Sequence, residues 1–76
     1  MSTTLPTPSP HEIRLDLVST HEWRVCDRRF PESDARSVLG FIERRGDQYE
    51  IISVSEPKGV RTCGSLASAT LSFSAS

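Results

Sequence analysis

A chain of 76 residues, 36% hydrophobic and 25% charged, is long enough for one small domain and carries too many apolar side chains to stay disordered. Nine lysines and arginines against ten aspartates and glutamates leave a net charge of −1, without the positive excess that phosphate contact asks of a DNA binder. No run approaches the roughly 18 apolar residues of a membrane helix. The opening Met1-Ser2-Thr3-Thr4-Leu5-Pro6 lacks the basic and apolar regions of a secretory signal, so a cytoplasmic location is expected.

Residues 1–10 alternate proline with serine and threonine and read as a disordered tail, which places a single domain over 11–73 and a frayed end over 74–76. Glu12 to Leu17 alternates polar and apolar residues, the mark of a strand with one wet face. Val18 to His21 breaks that pattern and Glu22 to Asp27 resumes it, with Trp23 and Val25 on one face. Arg28 to Arg36 is a polar connection anchored by Phe30, in which Pro31 can open a single helical turn.

The stretch from Val38 to Val54 holds two β-rich runs joined across Gly46-Asp47, a hairpin signal because glycine supplies the positive φ of a tight turn. Leu39 and Phe41 share one face of the first run, Val38 and Ile42 the other, so the pattern leaves the register open. A two-residue turn sets Glu43 opposite Glu50, an unfavourable pair, which points to a looser turn through Arg45-Gly46-Asp47. Glu56-Pro57-Lys58-Gly59 reads as a second turn, followed by a short strand from Val60 to Cys63. Ser65 can cap a final helix with Leu66, Ala69 and Phe73 on one stripe. The serines and threonines of that segment compete with helical hydrogen bonds, and an extended run with Ala69, Leu71 and Phe73 alternating is the alternative.

The segment Gly64-Ser65-Leu66-Ala67-Ser68-Ala69 resembles the strand-end glycine, apolar residue and alanine-bearing helix of AP2-type and related β-β-β-α DNA-binding domains. With Trp23-Arg24-Val25 and Asp34-Ala35-Arg36-Ser37, the stretch His21 to Phe73 is also similar to small bacterial proteins of this length and plan. The resemblance implies an antiparallel sheet backed by one helix. It departs from the AP2 type in its acidic balance and in the missing acidic residues at the helix start.

Chemistry-bearing clusters are sparse. His11, His21, Cys26 and Cys63 are the good nitrogen and sulfur ligands, and none sits at metal-site spacing from another. The two cysteines read as free, buried thiols. No nucleophile elbow or phosphate-cradling glycine loop is present, so neither enzyme activity, cofactor nor small-molecule substrate is expected. Arg45-Gly46-Asp47 spells an integrin tripeptide, yet a charged hairpin turn accounts for it. Every basic residue except Lys58 is arginine, which suits bidentate anion recognition and also follows from GC-rich codons.

The expected fold is α+β: a mainly antiparallel sheet of four to five short strands with one C-terminal helix packed on one face. Its expected core is Trp23, Val25, Phe41, Ile51, Val54, Leu66 and Phe73. The expected function is a non-catalytic bacterial accessory or protein-interaction module. Its protein partner, or a second copy, would dock on a surface containing Val38, Ile42 and Ile52. The alternative is a sheet-face DNA-binding domain contacting DNA through Arg24, Arg44 and Arg61.

Overall fold

Each alternating or β-branched stretch becomes a strand in the computed structural model, which describes residues 6–74. β1 (Ile13–Ser19), β2 (Glu22–Asp27), β3 (Val38–Arg45), β4 (Gln48–Ser53) and β5 (Glu56–Cys63) form one antiparallel sheet in the order β1-β2-β3-β4-β5. The short helix α1 (Leu66–Leu71) follows β5. Every strand pairs with its sequence neighbour, so the architecture is a meander built from hairpins. No helix among the described residues is long and apolar enough to cross a membrane.

The register sorts the side chains into two faces, because directly paired residues of antiparallel strands point the same way. Leu15, Val25 and Gly40 share one face, and so do Trp23, Ile42, Ile51 and Arg61. α1 lies on that face. Val25, Ile42 and Ile51 are fully buried there beneath Ala69 and Phe73, with Ile13 closing one end. Trp23 and Tyr49 flank the core with ring centroids 6.0 Å apart. The expected stripe of Leu66, Ala69 and Phe73 is the contact surface of the helical segment, although Phe73 lies just beyond α1 itself.

Why so serine-rich a segment forms a helix at all is visible in its hydroxyls. Ser65 Oγ accepts from Ser68 N at 3.1 Å as the N-cap. Thr70 Oγ1 donates to Leu66 O at 2.8 Å, and Ser72 Oγ to Ala69 O at 2.6 Å. Hydroxyls bonded back to the preceding turn are satisfied without water, but they weaken the helix, and it stops after six residues.

Several details depart from the sequence expectations. The β3–β4 turn is the tight two-residue one: Arg45 pairs with Gln48 and Gly46 takes φ +65°, the pattern of a turn with positive φ at its first central position. Glu43 does face Glu50. Arg45 reconciles them, its Nε donating to Glu43 Oε1 at 3.0 Å and contacting the Glu50 carboxylate.

The chain reverses at Val54-Ser55, and Glu56-Pro57-Lys58-Gly59, within β5, keeps a turn-like bend: the ladder passes from Ile51–Arg61 to Ser53–Glu56, and Gly59 folds back until its Cβ position stands 3.8 Å from Glu56 O. A proline fits because β5 is an edge strand with a ladder on one side only. A hydrogen-bonded turn does open at Pro31, Asp34 N donating to Pro31 O at 2.9 Å, and a 3-10 turn follows at Ala35–Ser37, capped by Asp34, which accepts from Arg36 N at 2.9 Å.

Phe41 and Val54 are exposed rather than core, whereas Ile42 is core rather than surface. Gly40 explains this choice of face: with no side chain, it lets the Phe73 ring rest on the sheet beside Ile42, which turns Phe41 outward. Of the expected tail, residues 1–5 lie outside the described residues. From Pro6 the chain follows the sheet end, with Pro8 buried and a 3-10 turn at Pro10–Glu12. At the other end, Ala75 and Ser76 of the expected frayed terminus lie outside the described residues.

Candidate functional site

Two surfaces combine exposure with organised chemistry. The first is the sheet face opposite α1. Asp16 pairs with Arg24, Arg24 with Phe41, and Phe41 with Ile52. One cross-strand row therefore runs Asp16, Arg24, Phe41, Ile52 over β1 to β4. Phe41 and Ile52 are 37% and 40% exposed, so no part of the described chain covers them.

The charged end of the row is rigidly set. Asp16 accepts from Arg14 Nε at 2.9 Å and from Arg24 at 3.1 Å, and these two guanidiniums hold its carboxyl at about 2, below the usual carboxylate range. The Cys26 thiol donates weakly to the same carboxylate at 3.5 Å and is buried beneath the cluster. Next to the apolar row lies a second one, Glu22, Glu43 and Glu50, three carboxylates paired across adjacent strands. Arg45 takes two of them, and Glu22 has no ion pair among the described residues. The open face is thus apolar in the middle, acidic along one flank and arginine-bearing at one end.

The second surface is a groove of about 930 Å³ on the helix side, between the Pro6–Pro8 segment, the connection after β2, the Val54-Ser55 turn and the start of β5. Phe30, Val38, Leu39, Val54 and Phe73 supply its apolar lining, and Arg29, Arg36 and Arg61 its positive charge. Arg29 is committed: it grips the buried Asp27 with Nε at 3.0 Å and a second nitrogen at 2.8 Å, and donates to Pro6 O at 2.8 Å. That grip lowers the Asp27 carboxyl against the opposing effect of burial. Arg36 forks onto Asp34 and stacks over Phe30 at 4.8 Å. Arg61 has no ion pair or hydrogen-bond acceptor among the described residues.

The residues singled out from sequence divide between these surfaces. Ile52 is on the open face, Val38 lines the groove, and Ile42 is sealed in the core. Arg24 is on the open face, whereas Arg44, paired with Tyr49, and Arg61, paired with Ile51, are on the helix side. The three arginines therefore do not share a face. Phe41 is the interaction-surface residue that sequence reasoning missed. The available signal was Gly40, whose lack of a side chain favours placing its own face inward and Phe41 outward.

Cys26 and Cys63 are free, and they lie on strands separated by two others, which puts them at least about 14 Å apart at ordinary strand spacing. That exceeds disulfide reach. Among the described residues no three metal-capable side chains come together. Comparison with protein-family models, with curated proteins and with solved structures gave no match.

Proposed function

We propose that this chain is a non-catalytic cytoplasmic accessory module that binds a protein partner through the open sheet face. The observation that carries the reading is Phe41 and Ile52, two large apolar side chains directly paired on adjacent strands and left in water. An antiparallel sheet can present one face to solvent, but that face is then normally polar. Placing an aromatic and a branched aliphatic together at its centre favours burial against something else. The acidic row alongside selects the partner's chemistry: apolar side chains bordered by lysine or arginine, so that Glu22 gains an opposite charge.

The test is paired affinity capture from a bacterial lysate with the wild-type chain and the double variant Phe41→Ser/Ile52→Ser, both verified as folded by NMR. The reading predicts a defined set of captured proteins that the variant loses. Equal capture by both chains refutes it.

A further inference from the structure

β1 is an edge of the sheet, laddered among the described residues to β2 alone, and we propose that two copies of the chain pair antiparallel along it, about a two-fold axis at Leu15. Unlike β5, this edge is regular: Ile13 to Leu17 pair residue for residue with Asp27 to Trp23, and the ladder shifts only beyond Leu17. Arg28 N donates to Glu12 O at 2.6 Å, just outside the Ile13–Asp27 pair. Ile13, Leu15 and Leu17 are therefore the non-hydrogen-bonded positions of this ladder, and their N–H and C=O groups point to the free edge. Ile13 N–H is taken by Pro10 O, which leaves Leu15 and Leu17 to carry the new ladder, with Ile13 O as a further acceptor.

A two-fold contact must be self-complementary, residue i meeting j while j meets i. About Leu15, β1 satisfies this. Leu15 meets its own copy, Arg14 meets Asp16 of the partner subunit, and Ile13 meets Leu17 of the partner subunit. Opposite charges then pair on the open face and apolar side chains on the helix face. Arg14 Nε already donates to Asp16 within the strand at 2.9 Å, so the four groups alternate in sign around the axis. Moving the axis to Arg14 or Asp16 sets like charges opposite each other. Moving it to Leu17 runs the ladder into the irregularity before Ser19.

The helix face supplies the drive to associate. Leu17 and Leu71 are 67% and 53% exposed. Leu15, Leu66, Ala67, Thr70 and Leu71 line a depression of about 470 Å³ between β1 and α1. Its one side-chain hydroxyl, on Thr70, already donates to Leu66 O, so the depression suits an apolar occupant. Paired residues of antiparallel strands point the same way, which brings the two depressions together at the axis, where Leu15 and Leu17 of each copy cover the other. Phe41 and Ile52 stay uncovered, so the inference stands apart from the open-face partner.

Sedimentation equilibrium of the full chain from about 10 µM to about 1 mM should show a dimer with a Kd of about 200 µM or tighter. At the top of that range the amides of Leu15 and Leu17 should exchange at least about threefold more slowly, while those of β5 stay unchanged. Leu17→Lys, at an exposed position, should be folded and monomeric. Arg14→Asp and Asp16→Arg should each be monomeric, because each sets two like-charged pairs across the axis. An equimolar mixture of these two should recover the dimer, which misfolding of either chain cannot produce. A wild-type chain still monomeric at about 1 mM, exchange slowed at β5 or at Phe41 and Ile52 instead, an undiminished dimer in Leu17→Lys, or a mixture of folded charge variants no more associated than either alone would each overturn the proposal.

Discussion

Gly40→Ala should be the most damaging single-methyl change in the sheet. A Cβ at this position would overlap the carbonyl oxygen of Ile52 on the neighbouring strand and approach Phe73 Cε1 to 2.7 Å and Cζ to 2.9 Å. The nearest atom belongs to a strand held by its ladder, so both that backbone and the ring must move. Overpacking of this kind costs about 1–3 kcal/mol, and partly exposing Phe73 adds about 1 kcal/mol. Alanine regains about 0.5–1 kcal/mol of backbone entropy, which leaves a net loss of roughly 1–3.5 kcal/mol. At about 0.05–0.15 kcal/mol per residue, the chain has roughly 4–11 kcal/mol in total. Tm should therefore fall by about 4–28 °C.

Urea unfolding followed by circular dichroism reads this as a lower midpoint at constant slope. Gly59→Ala and Gly64→Ala are internal controls, since a Cβ meets only Glu56 at 3.6 Å or nothing at all, and both should be neutral. If Gly40→Ala is no more destabilising than these two, the placement of Phe73 against the sheet is wrong.

Ile51→Ala and Ile52→Ala change adjacent residues on opposite faces. The first should cost about 2–5 kcal/mol in urea and the second below about 1 kcal/mol. Asp16 and Asp34 are held at about 2 by their arginines, against about 3.9 in the unfolded chain, so the unfolded state binds more protons in between. Stability should be level above about pH 5 and fall as pH drops from about 4 to 2, with the acid limb shallower in Asp16→Asn and at high salt. Ser37 Oγ is buried with no hydrogen-bond partner among the described residues, so Ser37→Ala should raise stability by about 1 kcal/mol in the same titration.

The strand content was legible from sequence because alternation over Glu12–Leu17 and Glu22–Asp27 is a local property. The C-terminal stripe was legible as well, since i, i+3 and i+7 spacing carries its own geometry. What could not be read was long-range. Phe41 and Ile42 are equally apolar, and only the fit of Phe73 over Gly40 decides which of them is covered. The turn between β3 and β4 looked loose because Glu43 and Glu50 repel, and the placement of Arg45 between them is a side-chain contact that no pairwise rule anticipates. Pro57-Lys58-Gly59 carried turn residues and does bend, but the reversal into β5 comes earlier, at Val54-Ser55, where no glycine or proline marks it. The open-face row was hidden because it too is long-range: it exists only once β1, β2, β3 and β4 are in register.

Methyl NMR with a soluble paramagnetic probe examines the two-faced sheet most directly. The methyl groups of Ile52 and Val60 should relax strongly in its presence, while those of Val25, Ile42 and Ile51 stay protected. Protection of Ile52 equal to that of Ile51 in the isolated monomer would mean that the chain covers this face itself, and no partner surface would remain there.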